Sequence, residues 1–252
     1  MVADYEKAAQ NALKAGFDCV ELHAAHGYLQ NQFLCDGVNQ RTDRYGGSTE
    51  NRCRLLYGTV TALIGVMGEG RVGVRLSPTT SGAKAHIYFD ANDSQPEKLY
   101  AQAVQGLNAF PLAYLLLTEP RCGGLSKAAT KDDGFKQPLN NTRYRNLYKG
   151  VMMAAGGFTP HSAAAAVANG DYGLIAFGRW FISNPDLVAR IRLGSNLNIY
   201  ERETFYGGGS KGYTDYPNMS GSIGRLNVYE RTPQADIGIV KALTAQTNRK
   251  KP

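Results

Sequence analysis

The sequence predicts an α/β fold built on a parallel β-sheet, and two observations lead to this prediction. Short apolar runs alternate with amphipathic stretches as far as about residue 195, which is typical of repeated β/α units. The chain has 252 residues, of which 43% are hydrophobic, enough for a substantial core. No run approaches the ~20 apolar residues of a transmembrane helix. No segment repeats with a period of ~20–50 residues, which excludes a solenoid.

The first part of the chain predicts two helices and two strands. Residues 4–15 read as a helix and residues 18–22 as a short buried strand. Residues 72–78 predict the second strand. Between the strands, residues 50–67 predict a long helix with the apolar residues Leu55, Leu56, Val60, Leu63 and Ile64.

The middle of the chain continues the alternation. Residues 94–107 predict a helix that Ser94 opens as N-cap, with Pro96 and Glu97 in its first turn. A further helix is expected from Ser162 onward. Three more strands are predicted, at residues 113–117, 150–155 and 173–177.

Three segments read as irregular. Residues 79–92 and 121–143 predict loops, and the second is rich in turn residues with little hydrophobic content. In a β/α fold this second loop would cover the carboxyl ends of the strands. Residues 218–252 turn polar and predict a flexible tail, in which residues 237–247 could form one short helix.

Charge and cysteine content narrow the class of protein. The net charge is +7 and the isoelectric point is about 9.2, but Lys and Arg are spread along the whole chain, which argues against a nucleic-acid-binding protein. The four cysteines have no metal-ligand spacing, so we expect reduced, structural thiols. Residues 1–7 are charged and helix-like rather than a signal sequence, which predicts a cytoplasmic protein without a membrane partner.

The first predicted strand leads directly into two histidines and a tyrosine. His23, His26 and Tyr28 follow residues 18–22, and side chains at strand ends are presented to ligands in α/β proteins. Two imidazoles three residues apart can both donate hydrogen bonds to one carbonyl oxygen, and a phenol beside them can supply a proton. A lone histidine after a strand is more often structural, so the interpretation depends on the residues that follow.

Those residues carry a long motif. Residues 23–29 read H-A-A-H-G-Y-L, residues 31–34 read N-Q-F-L, and residues 41–52 read R-T-D-R-Y-G-G-S-T-E-N-R. Together they resemble the Old Yellow Enzyme family of FMN-dependent ene-reductases, which includes the plant 12-oxophytodienoate reductases. The resemblance implies a (β/α)₈ TIM barrel, incomplete here, with the five predicted strands as about its fourth to eighth. It also implies a partial FMN-binding barrel domain over residues 1–217.

The resemblance assigns cofactor-binding roles to four residues that follow the last two predicted strands. Gly156 and Gly157 precede a predicted helix, where glycines let a phosphate approach backbone N–H groups closely. Gly178 and Arg179 follow the next strand. These four residues resemble the family's phosphate clamp for FMN, although two glycines after a strand by themselves usually make a turn.

Arg75, Phe205 and Tyr206 each have two interpretations. Arg75 lies in a predicted strand, and it either forms a salt bridge with a buried carboxylate, such as Glu21 or Glu119, or faces the flavin N1 and C2 carbonyl, as the resemblance implies. Phe205 and Tyr206 match the family's closing motif and would lie over the flavin and the substrate. Without the resemblance, core packing is the better interpretation of an aromatic pair.

The resemblance also implies a reaction. NADPH or NADH reduces FMN, and the reduced flavin delivers hydride to the β-carbon of an α,β-unsaturated carbonyl compound, or reduces a quinone, nitro or prostaglandin-type acceptor. His23 and His26 would bind the carbonyl oxygen and Tyr28 would protonate the α-carbon. The alternative is a truncated, catalytically incompetent remnant of such an enzyme.

Overall fold

The computed structural model describes residues 1–78, 91–119, 139–206 and 209–219. By the contacts among its residues the chain divides into two units. The first comprises Met1–Gly157 with Asp171–Leu174, and the second comprises Phe158–Gly170 and the chain from Ile175 onward.

The first unit contains five α-helices and four strands within its described residues. The helices are α1 (Val2–Lys14), α2 (Leu29–Leu34), α3 (Thr49–Arg52), α4 (Arg54–Met67) and α5 (Pro96–Gly106). The strands are β1 (Val20–His23), β2 (Val72–Leu76), β3 (Tyr114–Thr118) and β4 (Met152–Ala155). Short 3₁₀ helices span Leu107–Ala109 and Asn141–Leu147.

The strands form one sheet in chain order, β1-β2-β3-β4-β5, where β5 (Leu174–Ala176) begins at the last residue of the first unit. The pairs β1–β2, β2–β3 and β3–β4 are all parallel. Just before β5, the N–H of Gly173 donates to the carbonyl of Met152 at 2.8 Å. Neighbouring strands that pair in chain order and in parallel are what repeated β/α units predict.

The register separates the sheet into two chemically different faces. Side chains alternate along a strand, and paired residues of neighbouring strands project to the same side. One side, the apolar face, carries residues that are at most 2% exposed: Leu22, Val74, Leu115, Leu117, Met152 and Ala154. The opposite side, the polar face, carries Glu21, His23, Arg75, Tyr114 and Thr118.

Gly73 makes room for a polar contact that crosses this second face. The hydroxyl of Tyr114 on β3 donates to Glu21 on β1 at 2.9 Å, and Gly73 is the paired residue on the strand between them. A Cβ atom at position 73 would lie 2.4 Å from Cζ of Tyr114. Glycine is therefore required at position 73 by the close approach of the Tyr114 ring.

The second unit contains three described α-helices: α6 (Pro160–Ala168), α7 (Arg179–Ser183) and α8 (Leu187–Leu193). Thr159 caps α6, because its Oγ1 accepts from the Ser162 N–H while the Ser162 hydroxyl accepts from the Thr159 N–H. In α8, Arg190 is 5% exposed and its Nε donates to Asp186 at 2.6 Å. The Thr159–Ser162 bonds thus cap the start of α6, and the Arg190–Asp186 bond stabilises α8.

The structure corrects the predicted boundaries at several points. The helix expected at 50–67 is two consecutive helices, α3 and α4, which meet at Cys53. The helix expected from Ser162 begins at Pro160. Most of the loop expected at 79–92, most of the loop at 121–143 and nearly all of the tail at 218–252 lie outside the described residues.

The prediction that Ser94 caps α5 is wrong. The helix begins at Pro96, its N-cap position is Gln95, and no side chain caps it. Ser94 instead bonds to Asp36, which accepts from its backbone N–H at 2.8 Å and from its hydroxyl. Hydrogen bonds to an ionised carboxylate are stronger than those to neutral groups, which favours this position of Ser94.

Candidate active site

His23, His26 and Tyr28 lie together at the end of β1. The ring centroids of His23 and His26 are 5.6 Å apart with their planes at 82°, and those of His23 and Tyr28 are 5.0 Å apart. His23 is the last residue of β1, and Tyr28 occupies the N-cap position of α2. The structure thus brings together the three residues that the motif predicted for carbonyl binding and proton donation.

A sharp turn between the strand and α2 produces this arrangement. His26 has φ 55°, in the left-handed region that few residues other than glycine adopt, and Gly27 follows with φ 73°. The His26 N–H donates to Oγ of Ser77 at 2.8 Å, just after β2. Tyr28 closes the turn by donating its N–H to the carbonyl of Ala25 at 3.2 Å. The turn reverses the chain so that the phenol returns toward His23.

Burial and a neighbouring cation keep both imidazoles neutral. Burial is the first cause that lowers the pKa of His26, to about 4, and the charge of Arg75 lowers it further. The pKa of His23 is also lowered, first by burial and then by Arg75, while Glu21 opposes the shift. At neutral pH each ring therefore carries one N–H donor and one acceptor nitrogen.

Arg75 projects from the polar face beside the histidines. It is paired with His23 in the register of β1 and β2, and its Nε donates to Oγ1 of Thr118 on β3 at 3.2 Å. Arg75 forms no salt bridge with either proposed partner, Glu21 or Glu119, and both carboxylates have other partners in the described part of the chain. Glu21 accepts from Tyr114, and the buried carboxylate of Glu119 accepts from the N–H groups of Asn140 and Asn141 and from the Tyr172 hydroxyl.

The predicted phosphate-binding residues occupy two turns, one in each unit. In the first unit, Gly156 and Gly157 follow β4 with φ 104° and 65°, so both require glycine for the turn. In the second unit, Gly178 has φ −99°, which other residues adopt, and a Cβ atom there would meet nothing within 4 Å. Neither the backbone conformation nor the described surroundings of its Cβ position therefore require glycine at position 178, at the start of α7.

The cation that follows Gly178 fits a phosphate group. Tyr200 holds the Arg179 guanidinium. The Tyr200 hydroxyl accepts a hydrogen bond from Nη1 of Arg179 at 3.2 Å, and Cζ of Arg179 lies 5.6 Å from the centroid of the Tyr200 ring. A guanidinium binds phosphate through charge-assisted hydrogen bonds. A clamp shared by all four residues stays a prediction.

Phe205 and Tyr206 lie in the second unit but differ in exposure. Phe205 is 8% exposed, and its ring centroid lies 5.4 Å from that of Tyr200. Tyr206 is 77% exposed. Phe205 thus packs among aromatic rings, and Tyr206 presents its ring outward; the flavin and substrate contacts stay predictions.

A cavity of about 480 Å³ borders the first strand. Its lining includes His23 and Tyr28 but also Leu22 and Val20 from the other side of β1, together with residues of α1 and α4. A cavity that touches both sides of a strand lies along the strand's edge. It therefore lies beside the polar face, not over it.

A sheet whose strands pair in chain order, with polar side chains at the strand ends, is the arrangement of part of a β/α barrel. Residues 1–198 match the model of the NADH:flavin oxidoreductase / NADH oxidase family, so the chain belongs to that family. The cofactor of this family is FMN, and its reductant is a reduced nicotinamide nucleotide. The resemblance inferred from the sequence motif is confirmed.

Curated relatives include plant enzymes. The chain is 44% identical over 234 residues to 12-oxophytodienoate reductase 7 of Oryza sativa subsp. japonica, covering 90% of this chain and 58% of that protein. It is 43% identical over 220 residues to 12-oxophytodienoate reductase 2 of Arabidopsis thaliana, covering 87% and 56%. The chain thus spans less than three fifths of the length of these relatives.

Solved structures of related enzymes also match this chain. Morphinone reductase matches with a TM-score of 0.74 at 40% identity, covering 91% of this chain and 56% of that one. An Old Yellow Enzyme homologue from Zymomonas mobilis matches with a TM-score of 0.74 at 39% identity, covering 86% and 57%. The predicted fold class, an incomplete (β/α)₈ barrel, is confirmed by these barrels and by the five-stranded sheet. No helix in the described ranges is long and apolar enough to cross a membrane.

Proposed function

We propose that this polypeptide acts as an FMN-dependent ene-reductase that takes reducing equivalents from NADPH or NADH. The observation that carries the proposal is the cluster of His23, His26 and Tyr28, with ring centroids 5.0–5.6 Å apart, next to Arg75 on the polar face. Bound FMN would supply hydride transfer between the nicotinamide nucleotide and the acceptor. The remaining steps depend on the chain's own side chains.

The two histidines are suited to bind a carbonyl oxygen. Both are neutral at neutral pH, so each can turn its single N–H toward the same oxygen without carrying charge into the site. Two donors on one oxygen withdraw electrons from the conjugated double bond and stabilise the enolate that develops. This favours an α,β-unsaturated ketone or aldehyde as acceptor. Quinones, nitro compounds and prostaglandin-type acceptors also carry an oxygen that can accept both hydrogen bonds.

Tyr28 is positioned to supply a proton. It lies beside His23 and is 52% exposed, so its hydroxyl can reach an acceptor held by the histidines and can be reprotonated from water. Arg75 would oppose negative charge on the flavin, and Gly178 with Arg179 would bind its phosphate, with Gly156 and Gly157 as the second turn. Phe205 and Tyr206 would contribute aromatic contacts to flavin and substrate.

The relatives support this substrate class and reductant. Two plant relatives are 12-oxophytodienoate reductases, and morphinone reductase has been solved in complex with tetrahydroNAD. We infer a cytoplasmic reaction, because the described cysteines, Cys19, Cys35 and Cys53, are free thiols. We also infer that residues 1–217 form the partial FMN-binding domain and residues 218–252 a tail.

The alternative is that this chain by itself lacks activity. It is favoured by the chain's coverage of only 58% of 12-oxophytodienoate reductase 7. Flavin binding separates the two: FMN fluorescence is followed while the chain is titrated, and anaerobic NADPH oxidation with 2-cyclohexenone is then measured. Saturable FMN binding with enone reduction supports the proposed function, and failure of both supports the alternative.

A substitution then tests the assigned chemistry. Tyr28→Phe should slow enone reduction by about 10²–10⁴-fold, which is typical of a lost general acid. Reduction of a quinone should be preserved, because quinone oxygens can take protons from water. Tyr45→Phe, which removes a phenol on the loop before α3, is the matched control. Equal loss of enone and quinone reduction in Tyr28→Phe would mean that Tyr28 is structural.

A further inference from the structure

The turn that carries His26 and Tyr28 is held by two amide side chains that have no assigned role. Oδ1 of Asn31 accepts from the N–H of Gly27 at 2.8 Å, and Nε2 of Gln32 donates to the carbonyl of Gly27 at 2.6 Å. Both side chains come from α2, directly after the turn. Gly27 is the one residue between His26 and Tyr28. Side chains of α2 therefore hold both its N–H and its carbonyl.

The turn needs such support because its backbone is unfavourable. His26 keeps φ 55° although it has a Cβ atom, and such a conformation persists only where the surroundings impose it. Ser77 holds the N–H of His26 from β2, and Asn31 and Gln32 hold the next residue. Without them the turn could relax, and the ring of His26 and the phenol of Tyr28 would change direction.

Asn31 is itself fixed from the other side. It is 3% exposed, and its Nδ2 donates to the hydroxyl of Tyr100 at 3.0 Å and lies 3.4 Å from Sγ of Cys35. Tyr100 lies on α5 and is 1% exposed. Because the amide donor is used by a buried hydroxyl, the amide oxygen must face Gly27. The orientation of Asn31 is thus determined by the core of the first unit.

We propose that Asn31, assisted by Gln32, is a positioning residue: through the peptide groups of Gly27 it holds His26 and Tyr28 in the geometry that carbonyl binding and proton donation need. This inference rests on the proposed function for its catalytic consequence. The positioning itself concerns only residues of this chain. The residue acts through Gly27 and contacts no reacting atom.

The neighbouring residue provides a matched control. Gln30 is 0% exposed, lies on the same helix, and donates its Nε2 to Oγ1 of Thr59 on α4 at 3.0 Å. Gln30→Leu therefore removes a buried amide from α2 without removing a bond to Gly27. Asn31→Leu removes a buried amide together with the acceptor of the Gly27 N–H. A difference between the two variants reports the bond to Gly27 and not the loss of a polar group from the helix.

The experiment has two arms on the full chain. The first measures amide hydrogen exchange of Gly27 by NMR, where Asn31→Leu should lose protection by about tenfold or more relative to Gln30→Leu. The second compares enone reduction with quinone reduction in the presence of FMN and NADPH. A misplaced proton donor should slow the enone reaction of Asn31→Leu by about 10–100-fold while quinone reduction stays near that of Gln30→Leu.

Asn31→Asp is the conservative rescue, and it also serves if Asn31→Leu does not fold. Its carboxylate keeps an acceptor for the Gly27 N–H, and the Tyr100 hydroxyl can rotate to donate to the second oxygen. Protection of Gly27 should return toward the wild-type value. Equal Gly27 protection in Asn31→Leu and Gln30→Leu would overturn the positioning role. If the wild-type chain reduces no enone, the proposed function fails, and the exchange arm still decides whether Asn31 holds the turn.

Discussion

His23 and Arg75 occupy paired positions on β1 and β2 and project from the same face of the sheet. A permanent cation beside an imidazole disfavours its protonation, so Arg75 lowers the pKa of both His23 and His26 in addition to burial. The arrangement places the one fixed positive charge of this strand pair next to two neutral donors. Arg75 can stabilise negative charge, while His23 and His26 need only their neutral N–H groups to bind a carbonyl.

The lowered pKa of His26 predicts a pH-dependent stability. Its pKa is about 4 in the folded chain and about 6.5 when unfolded, so the unfolded state binds the proton first. The contribution of His26 to stability is therefore complete above pH ~6.5 and is lost as the pH falls toward ~4. Urea unfolding midpoints at several pH values should fall less steeply in His26→Asn than in the wild type. His161→Asn, on α6, is the control, and identical slopes in wild type and His26→Asn would contradict the prediction.

The histidine pair predicts a specific loss of phenol affinity. A phenol that mimics an enolate should bind the FMN-loaded chain as a phenolate, with its oxygen between the two imidazoles, and produce a long-wavelength charge-transfer band. His23→Ala or His26→Ala removes one donor to a charged acceptor, a loss of roughly 1.5–3 kcal/mol, or about tenfold to more than a hundredfold in affinity. The second replacement should cost less than the first, because both donors share one ligand atom. Unchanged affinity in both single variants would return the histidines to a structural role.

Gly73 and Gly65 predict opposite effects of alanine. At position 73 the new Cβ would lie 2.4 Å from Cζ of Tyr114 and would displace the ring that bonds to Glu21, so Gly73→Ala should destabilise the chain by about 1–3 kcal/mol. Gly65 lies on an exposed position of α4 with nothing within 4 Å, so Gly65→Ala should stabilise by about 0.5–1 kcal/mol. Chemical denaturation measures both. A Gly73→Ala variant as stable as the wild type would mean that the Tyr114 ring can move aside without loss.

Arg52 predicts a large stability effect from a residue outside the site. It is 5% exposed, pairs with Asp93, whose side chain is fully buried, and donates to the carbonyl of Leu34. Arg52→Met leaves the Asp93 charge buried without its partner, which should cost about 3–5 kcal/mol of unfolding free energy. Arg41→Met removes an exposed pair with Asp43 and should leave the denaturation midpoint unchanged within error. Similar midpoints for the two variants would remove the structural role of Arg52.

Local pattern was sufficient to place most strands and helices and the central residues of the candidate site. The strands β1 to β5 lie within two residues of their predicted bounds. A short apolar run between turn residues is too short for most helices, so its pattern indicates a buried strand. The motif from residue 23 to residue 52 predicted the family. It also predicted that His23, His26 and Tyr28 would lie together, since a strand end and the turn after it keep nearby residues close in space.

Other features depended on residues far apart in the chain, which no local pattern contains. Ser94 left its expected cap position for Asp36, a partner 58 residues away. Helix α2 was not predicted, because six residues with three amide side chains form a helix only when tertiary contacts stabilise it. Arg75 bonds to Thr118 across the β2–β3 pair, 43 residues away. The sequence by itself therefore determined the five strands, most of the helices and the chemistry that they carry. The tertiary structure alone decided which side chains meet, because strand register and the satisfaction of buried polar groups are settled between distant segments.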